Sequence, residues 1–187
     1  MTAIDNKLKL DLGCGRNRQE GFHGVDVSPD SDADSIVNLF EFPWPWEDSS
    51  VDEVFSSHFV EHLPVACHGC GQPDGLISFM EEVHRICKPG AAVKIIHPYA
   101  LSTRAFQDPT HTRFIPETTW HYFSAQGRAD MKLEHYPISC DFELLGISNG
   151  FYPEWQLRAE VARTWAAQHY WNVVSDLIVD LRVVKES

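Results

Sequence analysis

The chain has 187 residues, 43% of them hydrophobic, a length that bounds it to a single domain, 1–187, able to bury a layered core. Its 27 acidic and 15 basic residues leave a formal charge of -12, which repels phosphate backbones at long range and makes nucleic acid an unlikely substrate. The N-terminus MTAIDNKLKLDLG lacks an apolar stretch of signal-peptide length, no run approaches the roughly twenty apolar residues of a membrane span, and the cysteines are odd in number, so a reduced, cytoplasmic protein with no membrane segment is expected.

In chain order, KLKLDLG, FHGVDVS and SIVNLF read as closely spaced strands, and VDEVFSSHF as a fourth whose end enters a helical turn at FVEHL. GLISFMEEVHRICKPG places Leu76, Met80, Val83 and Cys87 on one helical stripe, with Glu81, Glu82 and Arg85 directed elsewhere. Pro89 and Gly90 stop that helix in a turn, and AAVKIIHP follows as a buried strand. A polar and aromatic loop, YALSTRAFQDPTHTRFIPETTW, precedes the strand CDFELLGISNGFY. Trp155 to about Tyr170 is helical by period, and NVVSDLIVDLRVVKE closes the chain as a strand. Strands alternating with helices predict an α/β sheet covered on both faces, with ligands bound beyond the carboxyl ends of the strands.

The turn after the first strand selects the ligand. Gly13 and Gly15 end an apolar run, but Arg18 stands where a dinucleotide fingerprint needs its third glycine. Asp26 follows Gly15 by eleven positions, against about twenty between that fingerprint and its ribose acid. The interval leaves room for barely one helical turn, too short for a pyrophosphate site. A ligand without phosphate fits better: a glycine turn admits the methionine part of S-adenosylmethionine, and a carboxylate at the second strand end bonds ribose hydroxyls.

LDLGCG, GVDVS, IVNLFEFPWPWEDSSVDEVFSSHFVEHL, EEVHRICKPGAAVKI and FQDPTHTRFIPETTWHYFS resemble, in order and spacing, the consecutive motifs of class I Rossmann-like S-adenosylmethionine-dependent methyltransferases. The likeness runs from about Leu8 to Ser124 and is strongest to a small branch with a shortened first helix. It implies a three-layer, mostly parallel seven-stranded sheet with one antiparallel strand, the last two strand segments pairing as a hairpin. It implies that Asp11, Gly13, Cys14 and Gly15 line the methionine part, that Asp26 holds the ribose, that Asn38 and Leu39 border adenine, and that Leu12 and Val27 belong to the same cofactor site. Ser57 and His58 would border the sulfonium. After the fifth strand, His97-Pro98-Tyr99 departs from the order usual in the family.

Methyl transfer requires positioning and water exclusion, and a base only when the acceptor arrives protonated. Tyr99, Arg104, Arg113 and Tyr122 lie on the expected substrate side, a set suited to a small acceptor carrying a carboxylate or phosphate. Asp108-Pro109-Thr110-His111 has type I turn preferences that would aim His111 as a base, with Asp108 capping the turn and His58 beside the cofactor. No metal site is expected. His58 and His62 have the spacing of a zinc pair, but no third ligand is evident in sequence, and Cys67-x-x-Cys70 has no second pair. Three functions stay open: a small-molecule methyltransferase, a macromolecule methyltransferase working through a partner, and a silent cofactor-binding module. The sequence leaves the acceptor and the oligomeric state open.

Overall fold

Val54 and Ser56, then Val93, Ile95 and His97 are buried in alternation along two neighbouring strands, as a two-residue period requires when one sheet face is packed. The computed structural model describes residues 7–66 and 73–185, so the Cys67 and Cys70 pair lies outside the described residues. The strands are β1 (Lys9–Leu12), β2 (His23–Asp26), β3 (Ser35–Ile36), β4 (Val51–Ser57), β5 (Cys87–Pro98), β6 (Phe142–Phe151) and β7 (Val174–Val183). The helices are α1 (Gly75–Ile86), α2 (Thr103–Gln107), α3 (Ala125–Asp130), α4 (Pro153–Gln156) and α5 (Glu160–His169), with 3-10 turns at Val60–His62 and Glu117–Phe123.

All seven strands form one sheet in the order β3-β2-β1-β4-β5-β7-β6. β7 runs antiparallel to β5 and β6, whereas the β1–β5 pairings are parallel. The expected α/β Rossmann-like architecture with a reversed strand is therefore present, and CDFELLGISNGFY pairs with the last strand as anticipated. The chain winds outward from β1 to β3 and returns on the other side of β1 as β4, so the strand order reverses between β1 and β4. A crevice opens where the order reverses, because the connections leaving the two strand ends diverge.

Among the described residues no helix joins β1 to β2, β2 to β3 or β3 to β4. On this side, Phe22 packs on Phe55 with ring centroids 6.0 Å apart. The same sheet face carries the cross-strand pairs Lys9–Glu53 and Lys94–Asp180, at 2.7 and 3.1 Å. The opposite face holds most of the core. There α1, capped by Asp74 accepting from the Leu76 and Ile77 amides at 3.0 and 3.1 Å, buries Leu76, Phe79, Met80, Val83 and Ile86. Trp44, from the FPWPW segment, meets Phe79 edge-on at 5.5 Å.

Several sequence expectations change here. Glu82, expected on the polar side of α1, is buried, because it accepts the Trp44 amide at 2.6 Å and the Arg85 guanidinium at 2.5 Å. The strand read over SIVNLF shrinks to Ser35–Ile36. The helix read from Trp155 to Tyr170 breaks between α4 and α5, where Ala159 is extended and offers no side-chain cap. The long loop contains α2 and the 3-10 turn that buries Trp120 and Phe123. None of the helices over the described residues is long and apolar enough to cross a membrane.

His97 is fully buried on the packed face. Trp120 Nε1–H donates to its Nε2 at 3.2 Å, which leaves the proton on Nδ1 facing the Pro98 carbonyl at 2.9 Å. Burial lowers the imidazole's affinity for a proton. A histidine whose folded pKa is depressed stabilises the fold above its unfolded value of about 6.5, and that stability is lost as pH falls below it. The melting temperature should therefore drop between pH 7 and pH 5. His97→Gln, which keeps an acceptor for Trp120 but cannot titrate, should remove part of that drop in thermal denaturation followed by circular dichroism.

Candidate active site

The turn after β1 sets the floor of the crevice. Gly13 and Gly15 have φ of +77° and +53°, left-handed values that a side chain disfavours. The Gly13 and Cys14 amides both donate to the Val25 carbonyl, at 2.8 and 3.2 Å, folding the chain back over the end of β2. The backbone also approaches the Phe59 ring so closely that a Cβ at Gly13 would overlap it. Asp11 is buried at the base, where its Oδ2 accepts the Gln19 amide at 2.7 Å and its Oδ1 has no partner. Burial pushes its carboxyl above the usual range. Cys14 is a buried thiol whose pKa is pushed up to about 11, by burial first and then by Asp11 and Asp26, so it acts as a small neutral wall residue.

Asp11, Gly13, Cys14, Gly15, Ser57 and His58 line a cavity of about 410 Å³ together with Arg16, Asn17, Gln19 and Phe55. A narrower cleft of about 40 Å³ shares Gly13 and is lined by Asp26, Val27, Val37, Asn38, Leu39, Phe40 and Phe59. Asp26 stands at the entrance of this cleft, accepting the Gly15 and Ser28 amides at 3.0 and 2.8 Å. Phe40 stacks on Phe59 at 5.7 Å and closes the far wall. Of the residues expected at the cofactor, only Leu12 lies outside both cavities; it is fully buried, and its carbonyl accepts the Ser56 hydroxyl at 2.8 Å. The Asn38 amide oxygen already accepts the Phe40 amide at 3.1 Å, although a second lone pair remains for a ligand.

His58 begins the wall opposite the glycine turn with φ +54°, a left-handed conformation for a residue with a side chain. Its Nδ1 lies 3.4 Å from Glu61 Oε1 and its Nε2 lies 3.6 Å from Asp176 Oδ1. Arg104 pairs with Asp176 at 3.1 Å and reaches His58 Nε2 at 3.5 Å. Glu61 and Asp176 were not anticipated. Glu61 hides within the helical pattern FVEHL, and Asp176 reaches the site only because β7 pairs antiparallel with β5, setting it opposite Pro98.

The DPTH turn forms as its residue preferences predict. Asp108 Oδ1 accepts the Thr110 amide and hydroxyl at 2.8 and 2.6 Å, and these bonds hold its carboxyl below the usual range. His111 is turned inward from this loop, with Nδ1 on the Ala105 carbonyl at 2.9 Å, and does not line the 410 Å³ cavity. Tyr99 is half-buried at the start of the loop, its amide on the Ser175 carbonyl at 2.9 Å. The other two expected substrate residues hold the fold instead. Arg113 ties down Leu63, Pro64 and Asp74, and the Tyr122 ring packs on Tyr136 at 5.6 Å.

No family model matches the chain, and no curated protein matches it. Solved structures do. An Archaeoglobus fulgidus S-adenosylmethionine-dependent methyltransferase is 19% identical, with a TM-score of 0.58 over 94% of this chain and 86% of its own. A chain from the complex of a Haloferax volcanii methyltransferase with a methyltransferase activator is 16% identical, with a TM-score of 0.54 over 96% and 83%. Geranyl diphosphate C-methyltransferase from Streptomyces coelicolor, solved with Mg2+, geranyl diphosphate and S-adenosylhomocysteine, is 12% identical, with a TM-score of 0.56 over 96% and 73%. The fold of this chain is that of the S-adenosylmethionine-dependent methyltransferases.

The packing of the β1 turn gives a direct test of this geometry. Gly13→Ala combines a left-handed backbone with overlap against Phe59, and should destabilise the protein by about 2–4 kcal/mol. Urea denaturation would read this as a lower midpoint at an unchanged slope.

Proposed function

We propose that the protein is an S-adenosylmethionine-dependent methyltransferase acting on a small-molecule acceptor. The observation that carries this reading is Asp11 Oδ1, buried without a partner beside the glycine turn. A buried polar atom left unpaired costs about 1–3 kcal/mol, and a ligand ammonium at this point offsets that cost. Gly13, Cys14 and Gly15 leave room for the ligand's methionine part, Asp26 faces its ribose, and Val27, Asn38, Leu39 and Phe40 border its base. A dinucleotide is disfavoured, since β1 and β2 are joined without a helix whose N-terminus could hold a pyrophosphate.

When bound, S-adenosylmethionine supplies an electrophilic methyl group on a sulfonium. The chain positions and desolvates. His58, at the edge of the larger cavity, is the imidazole placed to take a proton from an acceptor, and Asp176 and Glu61 orient its ring. This role passes from His111, whose Nδ1 is held by Ala105 and which lies behind Glu61. Arg104 and Tyr99 border the acceptor side, and Arg104 offers positive charge to an acidic acceptor.

A macromolecular acceptor reached through a partner protein is the second reading. It is favoured by Val161 and Trp165, four residues apart on α5 and exposed by 83% and 53%, and by Leu157 just after α4, exposed by 97%. Fractionated extracts distinguish the two readings: release of S-adenosylhomocysteine should follow the low-mass fraction for the first and the high-mass fraction for the second.

The purified protein should bind S-adenosylmethionine and S-adenosylhomocysteine in calorimetry and show no binding of NAD. Asp26→Ala, which removes charge-assisted bonds to ribose hydroxyls, should weaken binding by about 1.5–3 kcal/mol. Tight NAD binding, or unchanged affinity in that variant, would overturn the assignment.

A further inference from the structure

We propose that Glu61, His62 and His111 bind a divalent transition-metal ion beside the candidate active site. The inference does not depend on the methyltransferase reading. One ligand atom from each of the three residues lies within 4.8 Å of the others. Atoms bound about 2.1 Å from one metal stand roughly 3–3.5 Å apart in a tetrahedral shell, so a small contraction closes the set. Two imidazoles and a carboxylate that leave further positions open are the donor set of catalytic zinc and of non-haem iron.

The carboxylate is the strongest indication. Glu61 is 2% exposed, yet neither of its side-chain oxygens has a hydrogen-bond partner. An ionised carboxylate buried without hydrogen bonds or a cation is strongly unfavourable. Asp176, the other carboxylate facing His58, has Arg104 at 3.1 Å. Among the described residues the basic side chains within 4 Å of the Glu61 carboxylate are two imidazoles, His58 at 3.4 Å and His111 at 3.9 Å. A cation at this point supplies the missing partner.

Both histidines are arranged as ligands. A metal-bound imidazole commonly donates its other ring N–H to a carbonyl or to a carboxylate-linked group, which fixes the tautomer and aims the lone pair. His111 Nδ1 faces the Ala105 carbonyl at 2.9 Å, so Nε2 carries the lone pair, and this atom lies 3.9 Å from both Glu61 Oε1 and Asp108 Oδ2. His62 Nδ1 faces the Thr110 hydroxyl at 3.0 Å, and that hydroxyl gives its own proton to Asp108 at 2.6 Å. The Thr110 oxygen must therefore accept from His62, which leaves His62 Nε2 free to ligate. The two rings meet edge-on with centroids 4.7 Å apart. Backbone bonds from the Thr112 and Arg113 amides to the Glu61 carbonyl, at 2.9 and 3.2 Å, lock the two ligand-bearing segments together. The DPTH turn and the FVEHL turn thus converge on one point.

Untagged protein, stripped with a chelator and dialysed, should bind one zinc ion per chain in isothermal titration calorimetry. Glu61→Gln, an isosteric change, should weaken zinc binding more than about a hundredfold, beyond the usual cost of losing an outer-shell partner. His62→Ala, at a half-exposed position, provides a second variant should Glu61→Gln fold poorly, and each variant's fold is checked by circular dichroism. Because Cys67 and Cys70 are also potential zinc ligands, the double variant Cys67→Ser/Cys70→Ser should retain full affinity. Cobalt added in place of zinc should give visible d–d bands without a thiolate charge-transfer band, and these should vanish in His111→Ala. Absence of stoichiometric zinc binding, or binding that survives Glu61→Gln and His62→Ala but disappears with the cysteines, would overturn the proposal. Neither result bears on whether S-adenosylmethionine binds.

Discussion

The close approach of the β1 turn to Phe59, where the strand order reverses, is the contact on which the rest of the site depends. β1 and β4 are hydrogen-bonded neighbours, but the chain leaves their ends in different directions. The turn at Gly13 can cross this gap only because no Cβ intervenes between it and the Phe59 ring. Phe59 in turn joins the glycine turn to α1 through Phe79, at 5.7 Å, and stacks on Phe40 at the same distance. The floor of the larger cavity, the wall of the narrow cleft and the core beneath them are thus one packed unit. A shift in any of the three moves the others.

That coupling matters more because the β1–β4 side is lightly covered. The connections there are loops, and the charged residues on the open sheet face are paired across strands. Exposed ion pairs are worth about 0.2–1 kcal/mol each, far less than a buried aromatic side chain. Trp44, Phe79, Trp120, Phe123 and the aliphatic residues of β4, β5 and β7 on the other face therefore carry most of the hydrophobic stabilisation. Glu82 belongs to the same arrangement. Its carboxylate binds the Trp44 amide and Arg85, so the FPWPW segment is held to α1 by charge-assisted bonds as well as by packing.

What the sequence revealed, and what it concealed, follows the range of the interactions involved. The placement of Asp11, Gly13, Gly15 and Asp26 at the ends of β1 and β2 was legible because backbone geometry within a few residues sets it. The DPTH turn was legible for the same reason: an aspartate capping its own turn is a local device. Asp176 was not, since its place at His58 is set by the antiparallel register of β7 against β5. Nor was Glu61: its neighbours in sequence suggest an exposed turn, and only the tertiary fold puts it 2% exposed against His111. Arg113 and Tyr122 misled for the opposite reason, since their residue types suit substrate binding while their partners belong to the scaffold.

The charges around His58 bear on the chemistry proposed for the site. In methyl transfer from a sulfonium the positive charge disappears along the reaction, so an unbalanced negative site would hold the reactant more tightly than the transition state. Asp11, Asp26, Glu61 and Asp176 bring four carboxyl groups to this end of the sheet, but each has a distinct constraint. Burial raises the Asp11 pKa, and its Oδ2 is held by the Gln19 amide. Asp26 is bound by two backbone amides and lines the narrow cleft rather than the larger cavity that holds His58. Asp176 is balanced by Arg104. Among the described residues the basic side chains within 4 Å of the Glu61 carboxylate are imidazoles, and it is the carboxylate nearest His58. A metal ion held by Glu61, His62 and His111 would complete the pattern, leaving His58 between two neutralised carboxylates that orient its ring without trapping the cationic reactant.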